Sequence, residues 1–145
     1  MAKFKYKMQN ILDVKYKLET QAKSEFADAN GRLLNEEKRL NGLKARKQMY
    51  ELEAKVLMRG NLDMKKIQTN KRAMIALNEM INRQLAVIES CKKDVEKARE
   101  KLNDIMMDRK AHEKLKEKAF EEFKLELNAE ESKQVDELVS YKFGL

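Results

Sequence analysis

Apolar side chains return along this chain every three or four residues. Phe4, Met8, Ile11, Lys15, Leu18, Ala22, Glu25 and Ala29 lead into Leu33, Glu36, Leu40, Leu43, Lys47, Tyr50, Ala54 and Leu57. That spacing puts one stripe along a helix over about 4–58, and the stripe needs a partner helix. Lys15, Glu25, Glu36 and Lys47 interrupt it with charge. Two successive steps of four, Glu25 to Ala29 to Leu33, make an eleven-residue repeat that unwinds a left-handed supercoil. A second stripe runs Ile67, Met74, Leu77, Ile81, Leu85, Ile88, Val95, Leu102, Met106, Phe120, Phe123 and Leu127, with the same step at Leu77, Ile81, Leu85. Between the stripes, "RGNLD" offers Gly60 as a helix stop and Asn61 as a cap for the next helix. The expected elements are helix one over about 4–58, a turn over 59–66, helix two over 67–127 and a C-terminal segment 128–145. Within that last segment, Asn128 and Glu131 match a capping box, so a short helix is expected to restart at Ala129 and run to about Tyr141.

Two long helices joined by a short turn bury their stripes by lying antiparallel. The expected fold is all-α, a long two-helix coiled-coil hairpin forming one elongated domain. At 1.5 Å per residue the helices span about 82 and about 99 Å. A turn near residue 60 sets Phe4 opposite about residue 117 and leaves the end of helix two overhanging. Asn30-Gly31 and Asn41-Gly42 interrupt helix one, and each Gly costs about 1 kcal/mol against Ala in a helix interior. A break at Gly31 gives a three-helix bundle, and no break gives a bendable rod. The periodicity resumes after each Gly, which favours the rod.

Composition narrows the class. The 145 residues include no Pro, no Trp, four Gly and one Cys, and 39% are charged. Turn residues are too scarce for a sandwich or barrel. Cys91 alone makes no disulfide framework. No apolar run reaches the ~18 residues of a membrane span, and the amino-terminal segment has no signal-peptide core, so a cytosolic chain is expected. Residues 1–118 carry 29 basic and 18 acidic side chains, whereas 119–145 carry three and seven. Because bases and acids alternate, a solvated coiled-coil face accounts for the charge better than a polyanion groove does. A basic nucleic-acid-binding or scaffold coiled coil is the rival reading, and it predicts binding that weakens steeply with salt.

Candidates for chemistry are few. His112 has no second metal ligand three or four residues away. Cys91 lies next to the seam and reads as a small buried hydrophobe. No GxxxxGK[ST] or GxGxxG motif occurs, and a two-helix fold encloses no pocket. Neither an enzyme nor a cofactor is expected. The turn end is the apolar exception. Seven of the ten residues 49–58 and eleven of the sixteen residues 73–88 are apolar, against nine of the thirty residues 89–118. A seam uses only about two in seven. Either 59–72 folds back as a small helix over this surplus, or the surplus is a partner-binding patch.

The two chain ends resemble the flagellar FliJ family, coiled-coil components of the type III export apparatus. The resemblance lies in Phe4, Lys5, Tyr6, Met8, Ile11, Leu12, Val14, Lys15, Leu18, Glu19, Ala22 and Lys23, and in Glu131-x-Lys133-x-Val135-Asp136-Glu137-Leu138 with Lys142 beyond. The resemblance implies a non-enzymatic antiparallel stalk at the cytoplasmic side of the flagellar base, peripheral to the inner membrane. Its implied partners are the hexameric export ATPase, the cytoplasmic domain of the export gate and the export chaperones, without nucleic acid or membrane insertion. The expected ring contacts are Lys3, Phe4, Lys5, Lys7, Met8, Ile11, Lys15, Glu131, Lys133, Asp136, Glu137 and Leu138. Phe4, Met8 and Ile11 also belong to the seam. The expected gate or chaperone contacts are Tyr50, Val56, Met74, Leu77, Met80 and Ile81.

Overall fold

The structure, a computed structural model, describes residues 2–144. Helix α1 is Gln9–Leu57 and helix α2 is Met64–Phe143, and no strand occurs among the described residues. The two helices pack antiparallel as a coiled-coil hairpin, as the stripes require.

The element boundaries differ from the expected ones at three places. Helix one begins at Gln9 rather than Phe4. In the segment before it, Phe4 and Tyr6 are half-buried while Lys3, Lys5 and Lys7 are exposed, the period-two alternation of an extended segment. The Phe4 ring lies 5.1 Å from that of Phe120 and 5.4 Å from that of Phe123, so aromatic packing on α2 takes this arm out of the helix. Helix two begins at Met64, capped by Asp63 and not by Asn61. The Asp63 carboxylate accepts from the backbone N–H of Lys65 at 3.1 Å and of Lys66 at 3.3 Å. Gly60 adopts the left-handed conformation (φ 71°) that stops α1. Finally, α2 does not restart at Ala129 but runs unbroken to Phe143. The capping-box pattern is overridden because α2 contains no Gly or Pro and continues through Ala129, Glu130 and Glu131, which favour helix. Likewise α1 passes through Gly31 and Gly42 without a break, which removes the three-helix alternative. Residues 59–72 form no separate covering helix, because α2 already includes 64–72.

The helices contribute to two compact units, residues 1–22 with 102–145 and residues 23–101. In the first unit, Leu12, Glu19 and Ala22 of α1 are buried, with Lys15 half-buried. They face Leu102, Met106, Arg109, Glu113, Lys116, Ala119 and Phe123 of α2, all half-buried. In the second unit, Phe26, Ala29, Leu33, Glu36, Leu40, Leu43, Lys47, Tyr50, Ala54 and Leu57 alternate steps of three and four. The opposing row is Ile67, Asn70, Met74, Leu77, Ile81, Gln84, Ile88, Cys91 and Val95.

These rows correct the expected seam. Ile11 and Leu18 face outward and their neighbours Leu12 and Glu19 face inward. Gln84 takes the place expected of Leu85, and Cys91 sits in the seam itself. The step at Leu77, Ile81, Leu85 disappears with Gln84, and at the first step Phe26 is half-buried beside Glu25, so the row Ala22, Phe26, Ala29, Leu33 keeps the plain heptad alternation. The reason is partner chemistry. The Gln84 side-chain amide donates to the Glu36 carbonyl at 2.9 Å and to its carboxylate, and the Asn70 amide donates to the Tyr50 carbonyl at 3.0 Å. A satisfied polar side chain is tolerated in a seam that a hydrophobicity count assigns to its apolar neighbour.

Candidate functional site

Polar contacts hold the first unit together. The Arg109 guanidinium donates to Glu19 through Nε at 2.6 Å and Nη2 at 3.1 Å, and through Nη1 to Glu113 at 3.1 Å. This two-pronged grip suits the planar guanidinium. The Glu19 carboxylate is 7% exposed and the Arg109 side chain 16%. The Tyr16 hydroxyl donates to Glu113, and the Tyr16 ring lies under the guanidinium at 5.9 Å. One turn away Lys15 pairs with Asp108 at 2.7 Å, and His112 stands 3.5 Å from the same carboxyl group.

These contacts shift the titrations in the sense that charge pairing demands. The Tyr16 hydrogen bond, reinforced by Arg109, holds the Glu113 carboxyl below its ordinary value. The same hydrogen bond pushes the Tyr16 phenol up, with burial adding to it. Lys15 holds Asp108 down. Arg109 is raised, chiefly by Glu19, and stays charged throughout. These are charge pairs and hydrogen bonds that join α1 to α2, so the cluster reads as a clamp between helices.

Two surfaces flank this clamp within the unit. One is the arm, with exposed Lys3, Lys5 and Lys7 beside the groove that Phe4 and Tyr6 form with Ala119, Glu122, Phe123 and Glu126. The other is the end of α2, where every residue from Asn128 to Gly144 is exposed. Val135, Leu138, Val139 and Phe143 fall on one helical face there. Glu131 lies on the side of Val135 and Leu138, whereas Lys133 and Glu137, four residues apart, share another face. Met8 and Ile11 of the expected ring set are partly exposed, and Lys15 is engaged by Asp108.

The six turn-end residues all belong to the second unit but not to one surface. Leu77 is 2% exposed and faces α1, which removes it from any partner surface. Tyr50, Met74 and Ile81 are half-buried seam positions. Val56 and Met80 face outward. An open groove of about 360 Å³ lies between the helices here, lined by Ala54, Leu57, Met58, Ile67, Met74 and Ile75 with Asn70, Lys71 and Asn78. Met58 and Ile75 escaped residue-by-residue selection. Their signal was being apolar while off the seam, and the regional apolar excess registered it only in aggregate.

Among the described residues no group of three or more His, Cys, Asp or Glu is placed to hold a metal ion, and no helix is long and apolar enough to cross a membrane. Fold and surfaces define a two-helix coiled-coil protein with clamped helices and an exposed end of α2. The chain belongs to the FliJ family: the family model described as "Flagellar FliJ protein" matches residues 4–145. No curated protein and no solved structure matches it. Membership makes it a component of the flagellar export apparatus, in a family whose part there is structural and non-catalytic.

Proposed function

We propose that this chain is the stalk that binds the hexameric flagellar export ATPase and promotes its ring assembly and activity. Its ring-facing surface comprises the arm and first turns of α1 (Lys3, Phe4, Lys5, Lys7, Met8, Ile11, Lys15) and the end of α2 (Glu131, Lys133, Asp136, Glu137, Leu138). The observation carrying this reading is the final stretch of α2, a fully exposed helix with an apolar face at Val135, Leu138 and Val139. Such a face is normally covered in a working protein. Because Leu138 and Glu137 lie on different sides of the helix, a partner that surrounds it reaches both, as a ring does.

The turn-end surface centred on Val56 and Met80 and the adjoining groove then serve the export gate and the chaperones, with the protein at the cytoplasmic side of the flagellar base. Coupling to the ring requires only that ring states differ in their affinity for the stalk. Cross-helix pairs such as Lys15–Asp108, Lys101–Glu25 and Arg32–Asp94 set cations against carboxylates, which argues against a continuous nucleic-acid track.

The test is the hydrolysis rate and oligomeric state of the cognate export ATPase with and without this chain. Native protein is expected to raise both, and Val135→Asp with Leu138→Asp to abolish the effect. Both positions are exposed, so the melting temperature should stay within the ~0.5 kcal/mol equivalent of a surface change. An ATPase indifferent to the native chain removes the reading.

A further inference from the structure

The two units are closed by different means. Among the described residues, the buried apolar side chains of the first unit are Leu12 and Ala22, whereas the second buries Leu40, Leu77, Ile88, Cys91 and Val95. What the first unit has instead is the Arg109 clamp, in which one guanidinium binds Glu19 of α1 and Glu113 of α2 while Tyr16 binds Glu113 from α1.

A closure of this kind differs from an apolar one in two ways. A desolvated ion pair gains little net stability over well-packed apolar residues of similar volume, because the desolvation of both charges offsets their attraction. Yet removing one partner leaves the other charge stranded, so the closure fails abruptly when a single group is lost. Segments with few buried apolar contacts are also those that open locally below the global unfolding free energy.

We propose that the first unit is a strap that opens as a unit ahead of the second, with the Glu19–Arg109–Glu113–Tyr16 cluster as its latch. Opening frees the arm and the first four turns of α1 from α2. It exposes Leu12 and Ala22, which the closed hairpin hides, and uncovers the faces of Phe120 and Phe123 on which Phe4 sits. Under the ring-binding reading, these segments then become available for a partner to order, but the opening is a property of the free chain and does not depend on that reading.

The experiment is amide hydrogen exchange on the full chain at neutral pH, resolved by segment, with two variants of opposite expected sign. Arg109→Met removes the cation that Glu19 and Glu113 share across the helices, and exchange over 12–22 and 102–119 should rise about tenfold or more. Exchange over 33–57 and 67–95 should stay within about twofold of native. Glu19→Leu, Arg109→Leu and Glu113→Leu together replace the latch by apolar contact, and exchange over 12–22 and 102–119 should fall below native. The proposal is overturned if both units respond in parallel, or if the triple variant leaves the first unit as fast as native or faster. Because no ATPase is present, a failure here is separate from a failure of ring binding.

Discussion

Replacing Gly31 and Gly42 with alanine should stabilise the protein. Both glycines lie inside the unbroken α1, both are exposed, and neither has a positive φ. A Cβ built at either one meets nothing within 4 Å. The substitution therefore carries no steric cost, and what remains is the glycine's own penalty. Its unfolded chain has more freedom to lose, worth about 0.5–1 kcal/mol per site against Ala in a helix. The sites are eleven residues apart, about 16 Å along the helix, and share no partner, so their effects should add to about 1–2 kcal/mol. For a chain of this size that is a rise of roughly 3–6 °C in the melting temperature. The assay is thermal unfolding followed by helical circular dichroism on native protein, each single variant and the pair. An unchanged or lowered melting temperature for the pair would refute the reasoning. It would mean that α1 bends at these glycines in the working fold, in a conformation that alanine resists.

Acid should loosen the first unit. Glu113 and Asp108 titrate below their ordinary values of 4.5 and 3.8 because Tyr16, Arg109 and Lys15 favour their ionised forms. A depressed carboxyl contributes stability that is complete above its unfolded value and is lost as pH falls through its folded one. Protection of residues 12–22 and 102–119 against exchange, corrected for intrinsic rates, should therefore be flat near neutrality and decline below about pH 4.5. A decline already complete by pH 6 would assign the effect to another group. In alkali the raised Tyr16 works in the opposite sense, its contribution being intact below about pH 10 and lost above. At the turn, Asp63→Ala removes the acceptor for two backbone donors and should cost about 1 kcal/mol, whereas Asn61→Ala should cost almost nothing. Equal losses in urea unfolding would show that Asp63 is not the cap.

The hairpin was legible in the sequence because two heptad stripes flank a single glycine-bearing turn, and few arrangements bury both. Its phase was less legible. A hydrophobicity rule offered Leu18 or Glu19 for the same seat and chose Leu18. The structure seats Glu19 there because Arg109, ninety residues away in sequence, faces it. The same holds for Gln84 over Leu85, where the deciding acceptor is the Glu36 carbonyl. The register expected for Phe4, opposite about residue 117, falls short of its contacts at Phe120 and Phe123. That count carried the helical rise on through Phe4, whereas the segment before Gln9 is extended and reaches further along α2 per residue. For the surfaces, the apolar surplus at the turn end correctly located a region. It could not separate Leu77, which faces the partner helix, from Val56, which faces out. That separation depends on the phase, the quantity the pattern left open.

Polar residues inside and apolar residues outside are two sides of one arrangement. Glu19, Asn70 and Gln84 occupy buried seats while Leu18, Leu85, Ile75 and Met58 lie toward solvent. Exchanging the two sets would give a tighter hairpin with a more soluble surface, so stability of the isolated chain does not account for the pattern. Buried polar groups restrict pairing to the partners that satisfy them, and so hold the two helices to each other in place of a helix from another chain. Apolar groups left outside are then available to a partner while the helices remain paired in the second unit. Under the proposed stalk reading, this division of labour suits a component gripped from outside. It also implies that substitutions at Glu19 or Gln84 should disturb which helices pair, whereas substitutions at Val135, Leu138 or Val56 should disturb what the paired helices bind.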